Sequence, residues 1–233
     1  MAHKNTVETG VLLERFLRSI SQGKSVLRVR KNTALYYQGD AADAVFFLHS
    51  GRMKLVVVSF GGKEATLSVV RPQEFFGLAG SDEDALHLAT AVALEPSMVT
   101  RVEHAAFVGA LRKNPRIYDL VLTSLSGQIL HLEQRLCAQL LDCSQQRLAR
   151  TLIDLSHPDG ERHLAVLGPK ISHRVLATMV GTTRSRITFF MNRFRSLGFV
   201  APGRPTVIHT SRLTSALHTG LLDRATLRSL EEN

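Results

Sequence analysis

The sequence predicts an α+β fold: an N-terminal antiparallel β-roll (a double-stranded β-helix, or jelly roll), a long helix and a C-terminal winged helix-turn-helix. Three observations predict it. Short β-prone runs separated by turn residues fill residues 25–102, a heptad-spaced apolar row follows in 115–141, and two helical patterns broken at a glycine span 171–199. We therefore expect a roll domain in residues 1–114, a dimerisation helix in 115–142 and a winged helix-turn-helix domain in 143–233.

The N-terminal part begins with a predicted amphipathic helix over Val11–Ile20, whose apolar face is Leu12, Leu13, Phe16, Leu17 and Ile20. The β-prone runs that follow are VLRV, ALYYQGD, AVFFLHSG, RMKLVVVSFGG, EATLSVV, ATAVAL and MVTRV. Turn signals such as Gly39-Asp40, Ser50-Gly51 and Gly61-Gly62 lie among them. Strands at this spacing are typical of an antiparallel barrel or roll.

The middle of the chain predicts two helices. The first is Glu103–Asn114, and Pro115 marks the start of the second, because proline loses no hydrogen bond in a first helical turn. In the second helix an apolar row repeats in heptads and buries best against a copy of itself, so we expect a homodimer. Packing of this helix on its own domain is the alternative. The row is Tyr118, Leu122, Leu125, Ile129, Leu132 and Leu136.

The C-terminal part predicts a helix over Cys143–Ser156, ended by the turn residues His157-Pro158-Asp159-Gly160. Two β-prone runs within Gly198–Thr210, on either side of Pro202-Gly203-Arg204-Pro205, predict a wing. A last helix is predicted over Leu213–Leu230.

Between these elements, ISHRVLATMVGTTRSRITFFMNRFRSLGF has the spacing of a helix-turn-helix. Ser172 and Thr183 are predicted N-caps, and Gly181 permits the backbone conformation that the turn needs. The predicted core positions are Leu176, Ala177, Val180, Ile187, Phe190, Met191, Phe194 and Leu197. Helical spacing puts Arg184, Ser185, Thr188, Phe189 and Asn192 on the opposite side.

The charge distribution indicates a polyanionic partner for this segment. Residues 1–146 hold 16 basic and 14 acidic residues, a balance of +2, whereas residues 147–233 hold 13 and 6, a balance of +7. From Lys170 to Arg212 there are eight Lys or Arg and no Asp or Glu. Such a surface favours binding to the phosphates of double-stranded DNA, and the second helix is expected to enter the major groove. A basic, solvated helical hairpin is the alternative.

Base readout is expected at the first turns of the second helix. Arg184 suits a bidentate contact to guanine O6 and N7, Ser185 can bond to any base, and Phe189 either touches a thymine methyl or packs on the wing. Phosphate contacts are expected from Thr183, Arg186, Arg193 and Ser172, and His173 and Arg174 are further candidates. The predicted DNA-binding residues are Ser172, Thr182, Thr183, Arg184, Ser185, Arg186, Thr188, Phe189 and Arg193.

With these parts in this order, the chain resembles the Crp/Fnr family of bacterial transcription regulators over nearly its whole length. The helix-turn-helix segment is the most specific match, and YYQGD, FFLHSGRMKLV, GKEATLSVVRPQEFFG and QQRLARTL match the roll and hinge segments. The resemblance implies a homodimer on a two-fold symmetric operator with half-sites roughly 34 Å apart. It also implies an effector sensed in the roll, and contact with RNA polymerase if the protein is an activator.

The resemblance puts Arg184 on the guanine-reading arginine of the family, but Ser185 stands where a glutamate is usual and Phe189 where a second arginine is usual. The usual half-site is therefore not carried over. In the roll, the Gly-Glu pair that holds ribose in cyclic-nucleotide-binding members is Gly77 and Leu78. The position of the phosphate-binding arginine is His87, followed by Leu88, and the adenine-binding pair aligns with Leu132 and Glu133.

These departures predict weak or absent cyclic AMP binding, because a buried phosphate would lack its counter-charge. The acidic run Ser81–Asp84 near the same pocket disfavours an anion further. No cofactor is predicted to be required, and the effector is left open. A cyclic-nucleotide-responsive regulator with a rearranged pocket, or a regulator that senses haem or redox state, is the alternative.

Other sensors and activities are disfavoured. Two cysteines are too few for an iron–sulfur cluster, and Cys137 and Cys143 are expected to be buried structural thiols. Haem ligation by His87 or His49 is disfavoured, because a lone histidine in a strand is more often a hydrogen-bonded structural residue. The sequence shows no nucleophile elbow, P-loop, HExxH motif or paired carboxylates, so an enzyme is disfavoured. A sensor module for a partner protein is also disfavoured, because it would not need the basic C-terminal segment. Without a signal peptide or membrane span, a cytoplasmic protein is expected.

Overall fold

The computed structural model describes residues 12–78, 85–158, 164–167, 171–203 and 206–222. The chain divides into two units, Met1–Leu132 and Glu133–Asn233, with the division inside the long helix. Several predicted features lie outside the described residues: the start of the first helix at Val11, the acidic run Ser81–Asp84, the turn residues Asp159-Gly160, Arg204-Pro205 of the wing, and the last helix beyond residue 222.

The first unit contains the predicted roll. Residues 12–19 form α1, and two four-stranded antiparallel sheets follow, with strand orders β1-β8-β3-β6 and β2-β7-β4-β5. Every β-prone run predicted for the roll contributes a strand, and of the roll strands only Phe75–Phe76 was not predicted, because two residues are too short to leave a periodic signal. The strands are β1 Lys24–Val29, β2 Ala34–Tyr36, β3 Ala44–Ser50, β4 Met53–Val58, β5 Glu64–Val70, β6 Phe75–Phe76, β7 Thr90–Ala93 and β8 Ser97–Glu103.

Strand β3 shows how the roll builds two cores. Its residues AVFFL are all buried, which the alternation of side chains along a strand explains if both faces are covered. Val45 and Phe47 pack into one apolar cluster with α1, whereas Phe46 and Leu48 pack into a second cluster between the sheets. On α1 the predicted face is buried at Leu13, Phe16, Leu17 and Ile20, but Leu12 is 42% exposed, so its assignment to that face was wrong.

Two helices complete this unit. The predicted helix over Glu103–Asn114 is α2, His104–Arg112, and the long helix α3 spans Pro115–Leu141, beginning at the predicted proline. Ile117 and Val121 of α3 are buried in the cluster around α1 and Phe47. Most of the predicted heptad row is 45–59% exposed, namely Tyr118, Leu122, Ile129, Leu132 and Leu136, whereas Leu125 packs against the same cluster.

Within the described residues, the second unit contains the end of α3, four further helices and a small sheet. The sheet has the order β11-β10-β9, and of the two runs predicted for the wing only the second forms a strand, while the first contributes the single bridge Val200↔Ile208. His157 and Pro158 were predicted in a turn but lie in β9, paired with Val166 and Ala165. The elements are α4 Ser144–Leu155, β9 Ser156–Pro158, β10 Leu164–Leu167, α5 His173–Val180, α6 Arg184–Ser196, β11 Val207–His209 and α7 Thr210–His218.

Three further predictions need correction. The last helix begins at Thr210, three residues before the predicted Leu213. It ends at His218, because Gly220 takes a left-handed conformation (φ 69°) that does not continue a helix. Cys137 is exposed on α3 rather than buried, since it lies on the outer face of that helix. Cys143 is half-buried as the N-cap of α4. Among the described residues, no helix is long and apolar enough to cross a membrane.

Candidate nucleic-acid interface and effector pocket

Both helices of the predicted helix-turn-helix begin at the predicted caps. The Ser172 hydroxyl accepts a bond from the Val175 amide at 3.3 Å, and the Thr183 hydroxyl accepts one from the Arg186 amide at 3.3 Å. Each bond satisfies an amide that a helix start would otherwise leave unpaired. Gly181 lies between the helices at φ 70° and ψ 46°, a conformation that L side chains rarely adopt.

The packing of the two helices follows the predicted pattern with one exception. Leu197 was predicted in the core but is 40% exposed, because it is the C-cap residue after the last full turn of α6. Small Ala177 is buried and lets α6 approach α5 closely. The other predicted core residues are all buried, namely Leu176, Val180, Ile187, Phe190, Met191 and Phe194.

The opposite face of α6 is open to solvent at its N-terminal end. Arg184, Ser185, Arg186 and Phe189 are exposed there. The amides at a helix start and the positive end of its dipole favour anions. With no carboxylate in the surrounding sequence, this face has the chemistry of a phosphate- and base-binding surface.

Several of these side chains already have partners within the protein. The Thr183 and Ser185 hydroxyls lie 3.0 Å apart, and the Arg186 guanidinium lies 5.9 Å from the centroid of the Phe190 ring. The Phe189 ring meets Phe190 edge-on at 5.8 Å. Of the remaining predicted contacts, Ser172 and Thr183 are exposed and Thr182, Thr188 and Arg193 are half-buried.

Sequence reasoning missed a link between α5 and α6. His173 Nδ1 lies 2.9 Å from Thr188 Oγ1, and the Thr188 hydroxyl donates a bond of 3.1 Å to the carbonyl oxygen of Arg184. Burial lowers the pKa of His173, and the charges of Arg195 and Arg184 lower it further. The residues are 15 positions apart, and no periodic pattern marks such a pair.

A second missed feature is Arg147 of α4. Its guanidinium donates from Nε to the Val180 carbonyl oxygen at 2.9 Å and from Nη1 to the Asp142 carbonyl oxygen at 2.8 Å. Its Nη2 donates to Ser144 Oγ at 3.3 Å. One cation thus binds the carbonyl ends of α3 and α5 together, where helix dipoles favour positive charge.

In the roll, the predicted effector residues Gly77 and His87 lie next to each other in an aromatic cluster. Gly77 has a φ of 73°, and a Cβ there would lie 2.6 Å from Phe46 Cδ2 and 3.4 Å from His87 Cε1. The His87 ring stacks on Tyr36 with centroids 3.7 Å apart and planes 15° apart. Phe76 completes the cluster.

The imidazole of His87 has an environment that disfavours a charge. The residue is 6% exposed, and burial lowers its pKa, although Asp40 and Asp43 oppose this shift. Burial likewise raises the pKa of Tyr36. Both backbone groups of His87 are bonded, its amide to the Asp40 carbonyl and its carbonyl to the Gly39 amide, each at 2.8 Å. The neutral form of His87 is the one that fits.

The other predicted pocket residues are dispersed. Leu78 is 39% exposed and Leu88 is 76% exposed, while Leu132 and Glu133 lie exposed on α3. From α3, Gln128 instead bonds to the backbone of β6, where its Nε2 donates to the Phe75 carbonyl oxygen at 3.2 Å.

The second histidine considered for haem also has a structural setting. His49 Nε2 lies 2.6 Å from Thr100 Oγ1, and its Nδ1 lies 3.6 Å from Glu14 Oε1. Thr100 is 2% exposed, so this residue is shielded from solvent. Within the part of the chain that the structure describes, no group of three His, Cys, Asp or Glu residues is arranged to hold a metal ion.

Comparison with known proteins agrees with both halves of this description. Residues 26–114 match the family model of the cyclic nucleotide-binding domain, and residues 146–216 match that of the Crp-like helix-turn-helix domain. The chain is 27% identical over 227 residues to the global nitrogen regulator of Synechococcus elongatus, covering 92% of this chain and 94% of that protein. It is 26% identical over 175 residues to the cyclic AMP receptor protein of Thermus thermophilus, covering 74% and 78%.

The fold agrees with a solved structure of the same kind. FixK2 from Bradyrhizobium japonicum superposes with a TM-score of 0.71 at 17% sequence identity, covering 82% of this chain and 96% of that one. A roll that matches the cyclic nucleotide-binding domain, followed by a Crp-like helix-turn-helix in one chain, is the arrangement of these regulators. The chain belongs to the Crp/Fnr family of transcription regulators.

Proposed function

We propose that the protein is a homodimeric, sequence-specific regulator that reads double-stranded DNA through the N-terminal turns of α6 and catalyses no reaction. The observation that carries the proposal is the exposed, carboxylate-free start of α6, where Arg184 and Ser185 stand clear of the buried core beneath them. Arg184 reads guanine, and Thr183, Arg186 and Arg193 bind phosphates. Ser172, Thr182, Thr188 and Phe189 complete the contact surface. Such a protein acts in the cytoplasm, where the DNA lies.

The dimer is supported by the exposed row on α3. Five of its six apolar positions are 45–59% exposed in the single chain, and large exposed apolar residues in a row are typical of a protein interface. A dimer buries this row and presents two α6 helices to the two halves of a symmetric site.

The effector pocket is proposed to have lost its cyclic-nucleotide function. The Thermus thermophilus relative is a cyclic AMP receptor protein. In this chain the corresponding region holds Leu78 and a neutral His87 stacked on Tyr36, and neither supplies a charge for a buried phosphate. We infer that cyclic AMP binds weakly or not at all, and that no cofactor is needed for DNA binding. If the protein activates transcription, it contacts RNA polymerase.

Selection of binding sites from random DNA by the purified, ligand-free protein tests this proposal. The selected site is then titrated at two salt concentrations, with and without cyclic AMP. We expect a two-fold symmetric motif bound at nanomolar strength, with no effect of cyclic AMP. Weak, salt-sensitive and sequence-blind binding that cyclic AMP converts into specific binding would favour the alternative of a rearranged nucleotide pocket.

A further inference from the structure

The pair formed by His173 and Thr188 joins the two helices at the proposed DNA surface. Thr188 lies on α6 one turn after Arg184, and His173 is the first residue of α5. Their side chains meet at 2.9 Å. The orientation of a half-buried threonine next to the guanine-reading arginine therefore depends on a residue of the other helix.

The hydrogen-bond pattern favours one tautomer of His173. A threonine hydroxyl has one proton, and that of Thr188 is donated to the Arg184 carbonyl oxygen. Toward His173 the hydroxyl can only accept, so Nδ1 carries a proton and Nε2 carries the lone pair of the neutral ring. Protonation of Nε2 would add a second donor on the far side of the ring and leave the bond to Thr188 intact.

The charges around His173 oppose that protonation while DNA is absent. Arg195 and Arg184 lower the pKa of the imidazole beyond the effect of burial. Among the described elements, α4 and α6 make the main contacts with α5. The charged residues that these two elements and α5 itself carry are Arg147, Arg150, Asp154, Arg174, Arg184, Arg186, Arg193 and Arg195. Seven of these eight are cationic, so phosphates that bind this surface reduce the positive field at the imidazole.

We propose that His173 is a positioning residue of the DNA interface that holds Thr188 in its reading orientation and takes up a proton when DNA binds. This inference rests on the proposed function of α6. Phosphates reduce the positive field of the arginines that oppose the imidazolium. Because the bound state holds one more proton than the free state, affinity rises as pH falls.

The pH dependence of affinity tests the proton uptake. The dissociation constant of the wild-type protein for its selected site is measured from pH 8 to pH 6 at constant salt. We expect binding about tenfold tighter at pH 6 than at pH 7, because uptake of one proton per site changes the binding constant about tenfold per pH unit. His173→Asn retains a donor at the Nδ1 position but does not titrate, so its affinity should change with pH much less.

His218→Asn, on the exposed end of α7, is the matched control and should keep the wild-type slope. Nuclear magnetic resonance of the His173 ring should show its titration at higher pH in the DNA complex than in the free protein. Equal slopes for the wild-type protein and His173→Asn would overturn the proton uptake. Failure of every variant to select a site at any pH would instead overturn the proposed function.

Substitution of Thr188 tests the positioning role. Thr188→Val keeps the shape of the side chain but removes the acceptor, and we expect about three- to tenfold weaker discrimination between the selected site and variants changed at one base pair. Thr188→Ser keeps the hydroxyl and should restore discrimination. Equal discrimination by the two variants would show that the bond has no part in readout.

Discussion

At the scale of single residues, the proposed DNA contacts of α6 depend on which of its side chains are exposed. Arg184 is exposed at the first turn of the helix, whereas Arg193 is half-buried near its end. Base contacts discriminate among sequences, whereas phosphate contacts add affinity to all of them. We therefore propose that Arg184 contributes mainly to specificity and Arg193 mainly to affinity.

Substitution of each arginine should separate these contributions. Arg184→Ala should relax the preference at one base pair and cost about 1–3 kcal/mol of binding free energy there. Arg193→Ala should weaken binding to every sequence and flatten the dependence of affinity on salt. Titration of both variants against the selected site, its single-base changes and random DNA provides the comparison. The assignment of roles is wrong if the two variants behave alike on all three.

At the scale of elements, Arg147 links the helix that carries the apolar row to the helix-turn-helix. The end of α3 and the end of α5 both present carbonyl oxygens to its guanidinium. Gly181 lies at the same junction, where an added Cβ would come within 2.9 Å of Gln139 Nε2. The turn before α6 is thus held both by a backbone conformation that favours glycine and by a cation from α4.

Arg147→Leu should loosen this junction, because two helix-end carbonyls lose their charged donor. We expect the free energy of local opening of α5 and α6 to fall by about 1–3 kcal/mol. Hydrogen–deuterium exchange of the amides of these helices in the full-length protein measures it. Arg150→Leu is the control, since its side chain is 54% exposed and its ion pair with Asp142 should contribute at most about 1 kcal/mol. Equal exchange in both variants would contradict a special role for Arg147.

At the scale of the whole molecule, the exposed row of α3 should determine the oligomeric state. Ile129 is 58% exposed in the single chain and lies at the middle of the row. In a dimer, Ile129→Glu would bury an unpaired carboxylate and weaken association about a hundredfold or more. Sedimentation equilibrium measures this constant, and Gln134→Glu, exposed and off the row, is the control. A dimer equally stable in both variants would support the alternative in which α3 serves only its own domain.

Much of this architecture was readable from the sequence because it depends on local periodicity. Short β-prone runs separated by turn residues predicted the strands of the roll, Pro115 predicted the start of α3, and the two caps and Gly181 predicted the helix-turn-helix. Each signal acts within a few residues of its own position. The absence of carboxylates from Lys170 to Arg212 likewise needed no structure to indicate a polyanionic partner.

Tertiary structure decided what depends on distant neighbours. Whether Leu12 or Leu197 is buried depends on what packs against the end of a helix, and β9 forms only because β10 lies beside it. The stacking of His87 on Tyr36, the bond from Arg147 to Val180 and the contact of His173 with Thr188 join residues 15 to 51 positions apart. A hydrogen bond or a ring contact requires two groups to be close in space, and local periodicity carries no information about which distant residues are close.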